Sequence, residues 1–459
     1  MHVPIEIWQI ITGNLSFNGQ ISLTKMQKNL YNKICIKNLS SPDLIIPKIK
    51  SISELRNLDI GKNVKITNIN YLQKLKKINI SLNCAVGQKG IEFLRQIEEI
   101  NCWNNKNITD LNHMQKLKKI NISDECEVNQ KGIESLRHVE EIICHDNNKI
   151  FNLNHLQKLK KINIAWDCGV DQKGIGSLRQ VKEITCSGNK KITNFNRSWN
   201  LKKVYISGFW CPIGQKEIEF LRLVEDIDCN NNDKIENLNH LQKLKKVNIS
   251  KQSGVNQKGI EFLRQIEEIN CRDNHKITNL NHLRKLKKVN ISWFCGVDQK
   301  GIESLRRVEE IDCSYNKLIM DLNHLKKLKK VHISRLCGVD QKGIESLEQV
   351  EEINCCNNWE IISLNHLQKL KKVNISGKDS IGQKGIESLK LVEEIYCGGN
   401  NKITDLNHLQ KLKKVNIAGR CSIGQKGIEL LRQVEIIDYH DNKKIKDLSQ
   451  FRNLKRKFD

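Results

Sequence analysis

Apolar residues along this chain recur in the spacing L-x-x-L-x-L, with polar residues between them. One stretch runs Ile97, Ile100, Cys102, then Asn105, Ile108 and Leu111; the next runs Leu117, Ile120, Ile122, then Cys126 and Gly132. Ile100 and Cys102 alternate with Glu99 and Asn101, the period-two signature of a strand with one buried face. A short unit of 20 residues and a long unit of 22 make a period of 42, repeated about nine times between Ile52 and Leu454. Its marker leucine steps through Leu75, Leu117, Leu159, Leu201, Leu244, Leu286, Leu328, Leu370, Leu412 and Leu454. No unit of this size can bury its apolar side alone, so neighbours must stack, and the pattern predicts a solenoid with long exposed faces suited to other macromolecules.

Three residues after the last inward position of each short-unit strand stands an asparagine, from Asn63 and Asn105 through Asn400 and Asn442. Its amide is expected to pair with backbone groups that the turn would otherwise bury. The long units place cysteine there, as at Cys84, Cys126, Cys168, Cys211, Cys295, Cys337 and Cys421, with Ser253 and Asp379 as exceptions. An Asp, Asn or Gly before each Gln-Lys-Gly-Ile run is expected to cap a short helix.

With these residues in place, the short units resemble the L-x-x-L-x-L-x-x-N-x-x-I-x-x-L leucine-rich repeat and the long units its cysteine-containing form, over roughly nine tenths of the chain. The resemblance implies an α/β solenoid: a leucine-rich-repeat arc at 52–459, with about nineteen parallel strands on its concave face and short helices or turns on its convex face. Residues 1–39 do not repeat and read as helical, with Ile7, Ile11 and Leu15 on one face and Leu23, Met26, Leu30 and Ile34 on another. The string Val3-Pro4-Ile5-Glu6-Ile7, with Ile11, Leu15, Leu23, Met26 and Leu30, is similar to an F-box, although Val3 stands for the usual leucine and Asn18-Gly19-Gln20 for a common helix start. That resemblance implies docking onto a Skp-type adaptor of a cullin ubiquitin ligase through Pro4, Glu6, Ile7, Ile11, Leu15, Leu23, Met26 and Leu30. The alternative is a helical cap over the first apolar face. Residues 40–51, with Pro42 and Pro47, form a linker. The closest-looking proteins belong to expanded families of protists and large DNA viruses, which would imply a host-virus interaction.

The net charge of +25 would ordinarily suggest nucleic acid or an acidic partner. Much of the excess comes from the Lys-Leu-Lys-Lys run of the long units, and the outward strand row alternates in sign: Lys77, Glu99, Lys119, Glu141, Lys161, Glu183 and onward. Adjacent strands are expected to pair these charges. Flanking lysines such as Lys74 and Lys76 are left as a weak, salt-sensitive attraction for nucleic acid, which stands third among the functional readings.

Fifteen of the seventeen cysteines occupy inward or turn positions, where they read as small buried hydrophobes. No C-x-x-C and no signal-like stretch occurs, which favours a reduced cytoplasmic or nuclear compartment rather than secretion. Seven histidines recur before the marker leucine, from His113 to His408, and read as scaffold. No catalytic residue, metal ligand, cofactor motif or membrane span is found, so a non-enzymatic chain is expected.

Because the repeats are almost identical, positions that break the template are the candidates for specificity. Ahead of the long-unit cysteine these are Trp166, Phe209, Trp210, Trp293, Phe294 and Arg335; on the strand face they include Trp103, His145, Tyr205 and Arg272. Exposed Trp and Arg favour binding. The repeat from Arg197 to Glu217 is the most degenerate, with Glu217 where others carry glycine. The combined expectation is a substrate receptor of a cullin-type ubiquitin ligase, or else a repeat scaffold or inhibitor that binds a protein without ubiquitin.

Overall fold

A computed structural model describes residues 38–40, 55–195, 199–378, 381–451 and 453–458. The F-box-like segment lies outside the described residues apart from its last two positions, and so do its adaptor-facing side chains from Pro4 to Leu30 and the linker after Ser40. The chain divides into two compact units, Met1–Val224 and Glu225–Asp459.

In the first unit the described strands are β1 (Asn38–Ser40), β2 (Asn57–Asp59), β3 (Lys77–Asn79), β4 (Glu99–Asn101), β5 (Lys119–Asn121), β6 (Glu141–Ile143), β7 (Lys161–Asn163), β8 (Glu183–Thr185) and β9 (Lys203–Tyr205). In the second they are β10 (Asp226–Asp228), β11 (Lys246–Asn248), β12 (Glu268–Asn270), β13 (Lys288–Asn290), β14 (Glu310–Asp312), β15 (Lys330–His332), β16 (Glu352–Asn354), β17 (Lys372–Asn374), β18 (Glu394–Tyr396), β19 (Lys414–Asn416), β20 (Ile436–Asp438) and β21 (Arg456–Phe458). Within each unit every strand pairs in parallel with the next in sequence, in a register such as Lys77 to Glu99 and Ile78 to Ile100. Twenty strands, β2–β21, fall in the repeats, against the nineteen or so expected, and β1 carries the ladder back to residue 38.

The middle residue of each strand from β2 to β20 points inward, and Ile100, Ile142 and Ile269 are all at most 4% exposed. The predicted asparagines are buried, and Asn105 Nδ2 donates to the Ile80 and Val86 carbonyls while its Oδ1 accepts from Asn107 N–H. Asn147, Asn274, Asn316 and Asn358 repeat this pattern on the preceding coil. One amide thereby satisfies three groups that would be costly to bury alone.

The side opposite the strands is built from 3-10 turns such as Lys131–Ile133 and Lys173–Ile175, with one four-residue α-helix, Gln215–Ile218, among the described residues. Helix is thus scarcer than the α/β label suggests. The cause is close approach: a Cβ on Gly174 would lie 2.2 Å from the Phe151 carbonyl oxygen. Where Glu217 replaces that glycine, the tight turn opens into the α-helix, and the Glu217 carboxylate accepts from Gly214 N–H at 2.9 Å. Capping follows expectation at Asp171, Asp298 and Asp340, whose carboxylates accept from Gly174, Gly301 and Gly343 N–H.

The long-unit and short-unit cysteines, counted separately in the sequence, meet in the core. Sγ–Sγ separations are 3.7 Å for Cys144–Cys168, 3.6 Å for Cys271–Cys295 and 3.7 Å for Cys313–Cys337. The recurring histidines are structural: His113, His155, His282, His324, His366 and His408 each place Nε2 3.0 Å from a backbone carbonyl of the preceding coil.

Candidate partner-binding surface at the strand exits

Each strand from β2 to β20 is followed, three residues later, by a residue in the left-handed region. The outward residue that ends the strand folds the chain there. Asn290 Oδ1 accepts from the Ser292 N–H and hydroxyl, and Asp312 Oδ1 from Ser314 N–H. Most left-handed positions carry Gly, Asn or Asp, which tolerate positive φ. Seven carry other residues: Lys62, Leu82 and Lys251, and then Trp166, Trp293, Tyr315 and Arg335, the last four at φ of 57°, 63°, 61° and 56°.

Three of those four fall on consecutive coils of the second unit and form a stacked series. The Arg272 guanidinium lies 4.8 Å from the Trp293 ring centroid. Trp293 stacks on Tyr315 at 4.7 Å with an interplanar angle of 25°. Arg335 then sits 5.5 Å over the Tyr315 ring and donates from Nη1 to its hydroxyl at 2.5 Å. Backbone N–H groups of Trp293 and Arg335 donate at 2.8 Å to Ser314 and Cys356 carbonyls on the following coils, which fixes the backbone beneath the series. Arg272, Trp293 and Arg335 are exposed, and Phe294 beside them is 75% exposed.

The expected partner residues of the first unit lie in smaller groups. The Trp166 ring packs against Gly188, where an added Cβ would come within 2.6 Å of it. Trp210 is 67% exposed and Lys190 Nζ approaches its ring to 5.1 Å, with Phe209 exposed alongside. Tyr205 ends β9 and is partly buried. Trp103 donates through Nε1 to Asp124. Sequence reasoning missed Tyr315, although its spacing from β14 equals that of Trp293 from β13 and of Arg335 from β15. It also missed the Asp124 and Asp146 pair around His145.

Charge pairing goes further than expected. The alternating row pairs across strands, as in Lys77–Glu99 at 2.9 Å, Lys161–Glu183 at 3.0 Å and Lys246–Glu268 at 3.0 Å. The flanking row, expected to leave lysines available, is also engaged: Lys76 and Lys118 both reach Glu98 at 2.8 Å, and Lys245, Lys287, Lys329 and Lys371 hold Glu225, Glu267, Glu309 and Glu351. Lys76 is therefore not a free cation. Hydrogen bonds from Lys118 and then Lys76 hold the Glu98 carboxyl down at about 2.

No protein-family model and no curated protein matches the sequence. Among solved structures the chain is similar to TLR13 in its complex with ssRNA13, at TM-score 0.51 and 17% identity over 92% of this chain and 79% of that one. It is also similar to the internalin InlF from Listeria monocytogenes (TM-score 0.46, 17% identity, 66% and 88% covered). The functional domain of InlJ from the same organism, which includes a cysteine ladder, matches at TM-score 0.42 and 16% identity over 78% and 71%. The repeat geometry and the first of these likenesses define the class: a leucine-rich-repeat solenoid.

Proposed function

We propose that this chain is a non-catalytic protein-binding module whose partner docks on the strand exits of Glu225–Asp459, and that it acts as a substrate receptor of a cullin-type ubiquitin ligase. The observation that carries partner binding is the Arg272–Trp293–Tyr315–Arg335 series, in which Trp293, Tyr315 and Arg335 are held in a backbone region that disfavours bulky side chains. Strain of this kind concentrates at functional sites, and Trp, Tyr and Arg dominate binding hot spots. The ligase role rests on the F-box-like residues Pro4 to Leu30, through which a Skp-type adaptor and cullin would be recruited. The buried cysteines suit a reduced cytoplasmic or nuclear compartment.

A second reading is single-stranded nucleic acid, since arginines and aromatic rings also stack bases and the similar TLR13 structure is an ssRNA complex. The engagement of both lysine rows by glutamates argues against it.

The test is a pull-down with the intact chain, a Pro4→Ala, Ile7→Ala variant and an Arg272→Ala, Trp293→Ala variant, quantifying adaptor, cullin and any partner. Adaptor captured by the intact chain and the second variant but not the first supports the ligase reading. Loss of a partner only in the second variant supports the docking surface. Partner capture without adaptor leaves a scaffold or inhibitor, and steeply salt-dependent oligonucleotide binding would replace protein with nucleic acid.

A further inference from the structure

In the first unit, Asp124 and Asp146 occupy the left-handed position after β5 and β6, at φ of 56° and 54°, and His145 lies one residue before Asp146. His145 Nδ1 stands 3.3 Å from Asp124 Oδ1 and 3.3 Å from Asp146 Oδ2. A single Nδ1–H cannot donate a well-aligned bond to both carboxylates at once, and at 3.3 Å each contact is a long hydrogen bond beside the ordinary range of about 2.7–3.2 Å. The same distance matches the spacing of two donors about a tetrahedral centre with bonds of about 2.0–2.1 Å, which is about 3.3–3.4 Å. One donor atom from each of the three residues lies within 4.8 Å of the others.

The second oxygen of each carboxylate is already held by the protein. Asp124 Oδ2 accepts from Trp103 Nε1, and Asp146 Oδ1 accepts a longer bond of 3.3 Å from Asp167 N–H. Second-shell donors of this sort orient metal-binding carboxylates. Nearby cations are committed elsewhere, with Lys106 on Glu125 at 2.7 Å and Lys149 on Glu127 at 2.6 Å. At the same register one coil earlier, Asn104 follows Trp103 in the chain, and its side-chain oxygen is buried with no hydrogen-bond partner.

We propose that Asp124, His145 and Asp146 form a binding site for a zinc-class divalent cation, with the fourth coordination position open. Two carboxylates and a neutral imidazole neutralise a dication. One nitrogen and two oxygen donors suit zinc and its first-row neighbours better than magnesium or calcium, which favour oxygen-only, higher-coordinate sites. Three protein ligands leave room for water or a group from another molecule.

The experiment is titration of the chelator-stripped full chain with Co2+, followed by Zn2+ competition, reading visible absorption and tryptophan emission. One equivalent should bind with the intense visible bands of four-coordinate cobalt and be displaced by Zn2+. His145→Ala and Asp146→Asn should each weaken binding by at least about tenfold, and Trp103→Phe should remove the quenching that accompanies it. Far-UV circular dichroism checks each fold, and Asp146→Asn, at an exposed position, keeps the test decisive if the histidine variant unfolds. Absence of visible bands, unchanged titrations in these variants, or a thiolate-to-cobalt band showing that cysteines hold the metal would each overturn the site.

Discussion

Trp293, Tyr315 and Arg335 hold a conformation that costs an ordinary side chain about 1–2 kcal/mol. Offset stacking returns about 0.5–1.5 kcal/mol and each exposed cation–π contact about 0.5–1 kcal/mol. For Trp293 and Tyr315 together, about 2–4 kcal/mol of strain meets about 1.5–3.5 kcal/mol of stacking and cation–π contact, so this pair is near balance in stability and its yield is an exposed rigid surface. Replacing both Trp293 and Tyr315 with Gly, which removes strain and stacking together, should leave unfolding free energy within about 1 kcal/mol of the parent. The double Ala variant keeps the strain and should fall lower; urea melts distinguish them, and partner capture should drop in both. Asn274 is a different case, because its amide serves the buried Ile249 and Val255 carbonyls. Asn274→Ala should cost at least about 2 kcal/mol, and a loss below 0.5 kcal/mol, on the same rough scale, would show that the carbonyls find other partners. Trp293, Arg272 and Arg335 stood out in the sequence as departures from the repeat. Tyr315 did not, because those departures were read from the residues ahead of the long-unit cysteine, and Tyr315 lies in a short unit at the same three-residue spacing from its strand.

At the scale of the element, each coil from β2 to β20 is a strand followed by a left-handed turn, and the long units add a tight 3-10 turn, or the Gln215–Ile218 helix, seated against the previous coil. Gly174→Ala should cost more than 2 kcal/mol, on the order of a severe backbone clash, because its Cβ would meet the Phe151 carbonyl at 2.2 Å. The Gln215–Ile218 helix shows how the chain relieves that clash when glycine is absent. Truncating the fully buried Ile249 to Ala should cost about 2–5 kcal/mol. The ion-paired strand rows set the acid response. Glu98, lowered to about 2 in the folded chain from an ordinary 4.5, contributes stability that is complete above pH 4.5 and lost as pH falls toward 2. His113, His155, His282 and His324 are held below 6.5 mainly by burial, so their contribution is present above pH 6.5 and declines as pH falls below it. Urea midpoints should therefore drop in two stages between pH 7.5 and 3. A Lys76→Met, Lys118→Met variant should flatten the lower stage, less so at high salt, because the pair is exposed.

For the molecule as a whole, the repeated core makes cysteine an apolar filler rather than a reagent. Cys144, Cys271 and Cys313 are pushed well above the ordinary thiol range, first by the neighbouring cysteine sulfur and then by burial, and burial drives Cys355 to about 12. Among the described cysteines, an aromatic disulfide reagent at pH 8 should titrate only the partly exposed Cys356 until guanidinium unfolds the chain. Fast reaction of any other described cysteine, read by peptide mapping, would contradict the packing. The solenoid, its parallel strands, the asparagine ladder and the alternating charge row were determined by the sequence alone, because each depends on local periodicity copied from unit to unit. Tertiary structure decided which groups from different coils meet: the paired cysteine sulfurs, the double engagement of Glu98, the Arg272–Trp293–Tyr315–Arg335 stack and the Asp124–His145–Asp146 cluster. These pairs lie some twenty residues apart in the chain, and only the stacking of coils brings them within reach.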